Sequence, residues 1–207
     1  MGLGRDPSLP SVPVTTRVLW LRRDIRLADH LALAAALDGG AEVVPLFVLD
    51  PTLRTPSGVP RLAFLSGCLE DLRDRTGGAL VLRSGDPVDE VPRLAAEVGA
   101  DEVVASEDFG PYGRERDTRV AGALEADDRS LRFADSPYAM APGTVAKADG
   151  SHFRVFTPDY RAWWGPAAQV ASEREDAPRR PRWVTGVESD PVPPAPDLGE
   201  TAILPAG

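Results

Sequence analysis

The turn Arg22-Arg-Asp-Ile-Arg26 sets three guanidiniums beside a carboxylate, directly after the apolar run Val18-Leu-Trp-Leu21. Guanidiniums grip carboxylates, phosphates and other planar anions through paired N–H donors. A second charged stretch, Ser106-Glu-Asp-Phe-Gly-Pro-Tyr-Gly-Arg-Glu-Arg-Asp117, follows another apolar run and carries Glu107 and Asp108 near its head. Asp50 closes Leu46-Phe-Val-Leu-Asp50, and Arg61 stands behind Pro60 at the start of a helical pattern, where free amides and a guanidinium together suit an anion. The chemistry these residues can do is binding. Nucleophile and acid–base signatures are absent: there is no G-x-S-x-G, phosphate-binding P-loop, G-x-G-x-x-G or H-E-x-x-H, and His30 and His152 lie far apart. Bond-breaking chemistry finds no candidate residue here.

The elements that must position this set can be read from apolar periodicity. Strands are expected at Val18–Leu21, Glu42–Leu49, Ala79–Arg83, Glu102–Ala105 and Ser130–Ala134, the second of them apolar on both faces as a covered parallel strand should be. Pro45 removes a ladder donor, which places it near that strand's beginning or at an irregularity. Helices are expected at His30–Leu37, Pro60–Thr76, Pro87–Val98 and Gly113–Ala126, with Asp29 and Asp86 as N-caps and the Gly39-Gly40 and Gly77-Gly78 pairs as left-handed caps. In the second helix Leu62, Leu65, Leu69 and Leu72 form one stripe. Strand–helix alternation predicts an α/β fold, a five-stranded parallel, Rossmann-like doubly wound sheet followed by an irregular proline-rich connector. Ligands of such sheets bind at the carboxyl ends of the strands. Arg22, Arg23, Asp50, Arg61, Glu107 and Asp108 are therefore the candidate cofactor-binding residues. A plainer reading stays open for each part: a solvated basic turn for Arg22–Asp24, a strand-ending turn for Asp50-Pro51, and an exposed charged helix start for Arg114–Asp117.

Composition narrows the function classes. The chain has 207 residues, 43% of them apolar, which suits a globular domain with room for extra. Its net charge of −9 argues against a stand-alone nucleic-acid binder. The single cysteine, Cys68, cannot form an internal disulfide and fits a reducing cytoplasm, and one thiol with two histidines leaves little material for a transition-metal site. No run of about 18 apolar residues is present, so no membrane partner is expected. Residues 1–16 lack the apolar core of a signal peptide and read as a flexible leader.

Beyond Phe133 the pattern changes. Ser151-His-Phe-Arg-Val-Phe-Thr-Pro-Asp-Tyr-Arg-Ala-Trp-Trp164 is aromatic and basic, and from Ser172 onward charge and proline dominate, as in a linker without a core of its own. The aromatic strip reads as a docking surface, the alternative being base stacking on Tyr160, Trp163 and Trp164 with Arg154 and Arg161.

The opening stretch Trp20-Leu-Arg-Arg-Asp-Ile-Arg-Leu-Ala-Asp-His-Leu-Ala-Leu33 resembles the DNA photolyase/cryptochrome family, whose pattern there is approximately W-F-R-x-D-L-R-x-x-D-N-x-A-L; Leu21, Ile25 and His30 are the departures. Pro111-Tyr-Gly-Arg-Glu-Arg-Asp117 is similar to the family's P-Y-G-R-x-R-D, and Val155-Phe-Thr-Pro-Asp-Tyr-Arg-Ala-Trp163 to its V-F-T-P-F-x-x-A-W. The likeness runs from about Arg17 to Trp164 and implies an antenna domain at 17–142 and an interdomain connector at 143–207. Family members repair cyclobutane pyrimidine dimers, or sense blue light as cryptochromes, by electron transfer from reduced FAD. The resemblance implies an antenna pigment in the sheet domain, with 8-hydroxy-5-deazaflavin favoured over folate by Asp108 and the P-Y-G-R run. In the deazaflavin branch an aspartate matching Asp108 contacts the pigment, while the acid two places later is Gly110 here. FAD, the catalytic residues and damaged DNA would belong to a C-terminal helical domain, expected to be missing from this chain or supplied in trans. Arg22, Asp24 and Arg26 would then brace the crevice. The alternatives are a nucleotide- or partner-binding regulatory module, a cryptochrome-type photoreceptor fragment, or a degraded gene product.

Overall fold

The computed structural model describes residues 14–134, 136–173, 181–199 and 203. Five strands, β1 (Thr16–Leu21), β2 (Glu42–Leu49), β3 (Val81–Ser84), β4 (Glu102–Ala105) and β5 (Ser130–Phe133), form one all-parallel sheet in the order β3-β2-β1-β4-β5. This is the doubly wound sheet expected. Helices α1 (Leu31–Ala36), α2 (Pro51–Arg54), α3 (Val59–Arg75), α4 (Pro87–Glu97), α5 (Pro111–Glu125) and α6 (Phe156–Glu173) complete the described elements, with a short 3-10 turn at Asp38–Gly40.

The pleat of β1 splits the core. Val18 and Trp20 point into one apolar layer with Val91 and Leu94 of α4 and Val120 and Leu124 of α5. Leu19 and Leu21 point into the other, with Ala32 and Leu33 of α1 and Leu69 and Leu72 of α3. Consecutive strands pair outward from β1 on both sides, so the winding reverses between β1 and β4. That reversal opens a crevice at their carboxyl ends, where a ligand would enter.

The local signals held in most places. Asp86 caps α4 by accepting from Val88 N at 3.0 Å. Gly77 and Gly78 take φ of 63° and 83°, and Gly78 N bonds Arg73 O at 2.8 Å to close α3. Two caps differ. Asp29 itself has a positive φ of 47°, and His30 is the N-cap of α1, its Nδ1 accepting from Leu33 N at 3.1 Å. Helix α5 starts at Pro111, two residues before the expected Gly113, because proline fits the first helical position.

Pro45 lies in the middle of β2 rather than near its start. The bond partners of Val43 place every second residue, Pro45 included, toward the β3 side. Pairing with β3 begins only at Leu46–Val81, so the missing N–H falls beside a gap in the ladder.

The C-terminal stretch carries order that its composition does not reveal. Residues 156–173 are helical, and residues 182–190 bind the sheet. Val43 N bonds Arg182 O at 2.8 Å and Val184 N returns to Val43 O at 3.0 Å, completing β2 where β3 has not begun. Farther along, Leu82 N bonds Ser189 Oγ and Asp190 N bonds Leu82 O, each at 2.9 Å, which covers the open edge of β3. Trp183 and Val192 pack on the α1/α3 layer, Val184 and Val187 on the α4/α5 layer. The linker reading at 174–180 and the leader reading at 1–13 fall outside the described residues; Thr16, at the leader's end, already pairs with Glu42.

The strap is thus part of the folded unit. Trp183→Ala is expected to lower the unfolding free energy by about 2–3 kcal/mol, the lower end for losing an indole that is only half buried. Urea unfolding measures it, and an unchanged midpoint and slope would show that the strap lies loosely on the sheet.

Candidate functional site

Trp20, the last residue of β1 facing α4 and α5, is only 2% exposed and forms the floor of the crevice. Two guanidiniums lie near its ring: Arg22 Cζ is 4.6 Å and Arg116 Cζ 5.0 Å from the centroid. Desolvated cation–π contacts of this kind are worth about 2 kcal/mol each. Arg22 Nη1 meets both oxygens of Asp117 at 2.6 Å. Arg116 donates to Asp117 Oδ1 through Nε at 2.9 Å and Nη2 at 2.7 Å, and reaches Asp108 Oδ2 at 3.4 Å. Arg23 Nε closes the series, also 3.4 Å from Asp108 Oδ2. Charges therefore alternate along Arg22, Asp117, Arg116, Asp108 and Arg23. The first four side chains are at most 7% exposed, while Arg23 is 59% exposed. Burial pulls the Arg22 guanidinium below its ordinary range and Asp117 opposes that pull.

Beneath this chain Asp24 ties the β1 turn to β4. It accepts from Arg22 N at 3.1 Å and from the Ser106 hydroxyl, with His30 Nε2 3.1 Å away. Because His30 Nδ1 accepts from Leu33 N, the ring proton sits on Nε2, facing Asp24. Burial alone would raise the Asp24 carboxyl, but the His30 imidazole N–H facing it, then the Ser106 hydroxyl and the Arg22 amide, hold it well below the usual carboxylate range. Serine, aspartate and histidine meet here, yet the Ser106 hydroxyl donates to the carboxylate and not to the imidazole. No base activates it, so the trio is a clamp.

The crevice walls follow from α2, α3 and α5. Asp50 caps α2 by accepting from Thr52 N at 2.8 Å, and its other oxygen accepts from the Tyr112 hydroxyl. Burial, then the bond to Asp50, pushes the Tyr112 phenol up to about 12. Asp108 accepts from Gly110 N at 3.1 Å and lies flat on the first turn of α5. Gly113 permits that approach: a Cβ there would collide with the Asp108 carboxylate and stand 2.8 Å from its Cβ.

Four of the six sequence-identified residues, Arg22, Arg23, Asp50 and Arg61, line one cavity of about 460 Å³. Its remaining wall includes Phe47, Leu53, Leu62, Phe64, Leu65 and Cys68, with Arg54 on the rim. Leu62 and Leu65, read from periodicity as part of a buried stripe, are only half-buried and face this space. Asp108 lines a smaller chamber of about 90 Å³ adjoining it. Glu107 is exposed and does not line the main cavity; with Asp108 it faces a groove between α5 and Phe133, and a small pocket joins it to Arg22 and Arg23. Sequence reasoning missed Trp20, His30 and Tyr112 as site-forming groups, and it left Arg116 and Asp117 open between an exposed helix start and the crevice, where they are found. Gly113 after a proline-tyrosine pair was the available signal for the close approach of Asp108.

An apolar cavity of this volume with a few guanidiniums at its edge fits a flat, anionic heteroaromatic ligand. Arg22, one of the residues lining the cavity, has a buried Nη2 without a hydrogen-bond acceptor among the described residues. The cavity is too apolar, and the turn after β1 too poor in glycine, to cradle a pyrophosphate on backbone amides.

Two outcomes are expected from this geometry. Gly113→Ala must move Asp108 or α5, costing about 1–3 kcal/mol in thermal or urea unfolding. Asp24→Asn should cost about 3 kcal/mol at pH 7. Since the folded Asp24 carboxyl titrates below its unfolded value, its contribution is present above about pH 4 and fades as the pH falls toward the folded value. The gap between wild type and Asp24→Asn in urea should therefore narrow at pH 3; a gap independent of pH would rule out the clamp.

Comparison with known proteins agrees with this architecture. Residues 17–180 match the DNA photolyase family model. A deoxyribodipyrimidine photo-lyase of Streptomyces griseus is 39% identical over 188 residues, covering 87% of this chain and 40% of that protein. One from Synechococcus sp. is 38% identical over 152 residues, covering 70% of this chain and 31% of its own length. The crystal structure of a class III photolyase from Agrobacterium tumefaciens superposes with a TM-score of 0.70 at 26% identity, covering 90% of this chain and 39% of that one. The chain thus spans about a third to two-fifths of the length of these relatives. On the family match and the shared sheet, the chain belongs to the DNA photolyase family.

Proposed function

We propose that this domain binds an antenna pigment in the cavity at the carboxyl end of its sheet and serves light-driven repair of pyrimidine dimers in DNA. The observation that carries this reading is the cavity of about 460 Å³ with apolar walls and Arg22, Arg23, Arg54 and Arg61 around it. When bound, the pigment would absorb light and pass its excitation to a reduced flavin. The residues of the chain have the tasks of holding and orienting. Phe47, Leu53, Leu62 and Phe64 would enclose the ring system and exclude water. Arg23 and Arg61, both exposed, would close on its anionic groups. The buried charges over Trp20 would keep the floor immobile, as a fixed transition dipole requires.

Among antenna pigments, 8-hydroxy-5-deazaflavin is favoured over a folate, on Asp108 and the run from Pro111 to Arg114. Glu107 is retained as a weaker contact, since it does not line the main cavity. The flavin and the DNA would be handled by a helical domain, in the same polypeptide or in trans. The aromatic row of α6 supports such a partner: Phe156 stacks on Tyr160 at 5.6 Å and Tyr160 meets Trp164 at 5.6 Å, with Phe156 77% exposed. Among the described residues no helix is long and apolar enough to cross a membrane.

The test is a fluorescence titration of the purified chain with 8-hydroxy-5-deazariboflavin, a methenyl-folate and ATP. The deazaflavin should bind most tightly, and Arg23→Ala and Arg61→Ala should each weaken it by roughly tenfold, the loss of one charge-assisted hydrogen bond. Binding of ATP alone would replace the antenna reading with a nucleotide-binding one.

A further inference from the structure

The main cavity and the inner chamber share Arg22, Arg23, Phe47, Val48, Asp50 and Leu53. From there the inner chamber continues to Trp20, Asp108, Tyr112 and Arg116. Its volume of about 90 Å³ equals about three waters at roughly 30 Å³ each, or one six-membered ring. Asp50 stands on the shared wall and Tyr112 belongs to the inner chamber alone. Their hydrogen bond joins the end of β2 to the first turn of α5, across the reversal point of the sheet.

Asp50 is 5% exposed and gives one oxygen to Thr52 N and the other to Tyr112. Around it the inner chamber carries three guanidiniums, those of Arg22, Arg23 and Arg116. Arg22 Nη2 has no acceptor among the described residues. A carboxylate flanked by guanidinium donors is complementary to one ligand edge in particular: carbonyl, N–H, carbonyl, the edge of a cyclic imide or pyrimidinedione. The phenol of Tyr112 occupies the place that the N–H would take.

We propose that the Tyr112–Asp50 hydrogen bond is a selectivity latch between the two chambers, opened by a heteroaromatic ring whose imide N–H replaces the Tyr112 hydroxyl at Asp50 and whose polar edge then seats in the inner chamber. This rests on the antenna reading and adds to it the orientation of the ligand and the residue that selects it. A ring that lacks the N–H cannot offset the lost phenol bond and stays in the outer cavity. Tyr112 acts here as a selectivity residue that the ligand displaces, with Asp50 as the contact.

The experiment compares wild type with Tyr112→Phe, using 8-hydroxy-5-deazariboflavin and its N3-methyl derivative as probes in a fluorescence titration. Circular dichroism checks that the conservative variant keeps its fold. Removing the phenol leaves Asp50 short of a donor, so Tyr112→Phe should bind the parent compound roughly tenfold more tightly than wild type. The N3-methyl derivative should gain less than about twofold. Equal affinities in the two proteins, an equal gain for both probes, or weaker binding by the variant would each overturn the latch while leaving the antenna reading in place. Failure of both probes to bind either protein would overturn both.

Discussion

Everything at the carboxyl end of this sheet depends on desolvating Trp20 and the guanidiniums beside it without leaving a net buried charge. Arg22, Asp117, Arg116 and Asp108 sum to zero, and each acid lies between two bases. A single buried ion would face a desolvation cost of several kcal/mol, so no member can be dropped alone. The series also draws its members from the β1 turn, the β4 turn and α5. Satisfying it fixes the angle at which α5 leaves the sheet. Gly113 is the steric counterpart, because only a glycine lets the Asp108 carboxylate lie against the helix.

The same logic recurs at the other end of the strands. Arg17 Nε meets Glu102 at 2.8 Å while its Nη1 donates to Asp38 O, also at 2.8 Å, and Arg132 Nε meets the second Glu102 oxygen at 2.9 Å. Arginines at both ends of β1 therefore reach across to the neighbouring chain segments. The sheet's open edge at β3 needs something different, since its unpaired groups are backbone. Residues 182–190 supply matching backbone and serine groups, which is why a proline-rich tail can be structural without forming a strand.

How much of this the sequence revealed depended on the range of each interaction. β2 and β4 were read with their observed bounds because their residues are apolar on both faces, and local composition records that. β3 starts two residues later than Ala79, where the left-handed Gly77-Gly78 turn still holds Ala79 N against Thr76 O. Helix α6 was hidden by Pro158, Gly165 and Pro166 and by aromatics that face outward instead of forming a buried stripe. In the site, the rule for parallel sheets was enough to bring Arg23 to Asp108. It brought the Asp117 stretch to the crevice of Arg22 without naming the pair, 95 positions apart, and it gave nothing for Tyr112 with Asp50, 62 apart. Such pairs are set by helix angle, which no local spacing encodes.

The division between fixed and free cations explains why an arginine-rich corner suits a pigment better than a phosphate. A phosphate-binding loop keeps its donors on the backbone, where they are immobile and point at one small anion. Here the backbone amides of the β1 turn are turned inward: Arg22 N is spent on Asp24 and Arg26 N on Asp24 O. What remains for a ligand is a rim of long side chains, Arg23, Arg54 and Arg61, above a floor that the buried charges hold still. A rim of that kind could adapt to the edge of a broad ring system, and the floor would fix the plane of such a ring. On the proposed reading, orientation would be set by the buried ions and affinity by the exposed ones, so the two could change independently: substitutions at Arg61 would alter how tightly a ligand is held, whereas substitutions at Asp117 would alter the shape of the place that holds it.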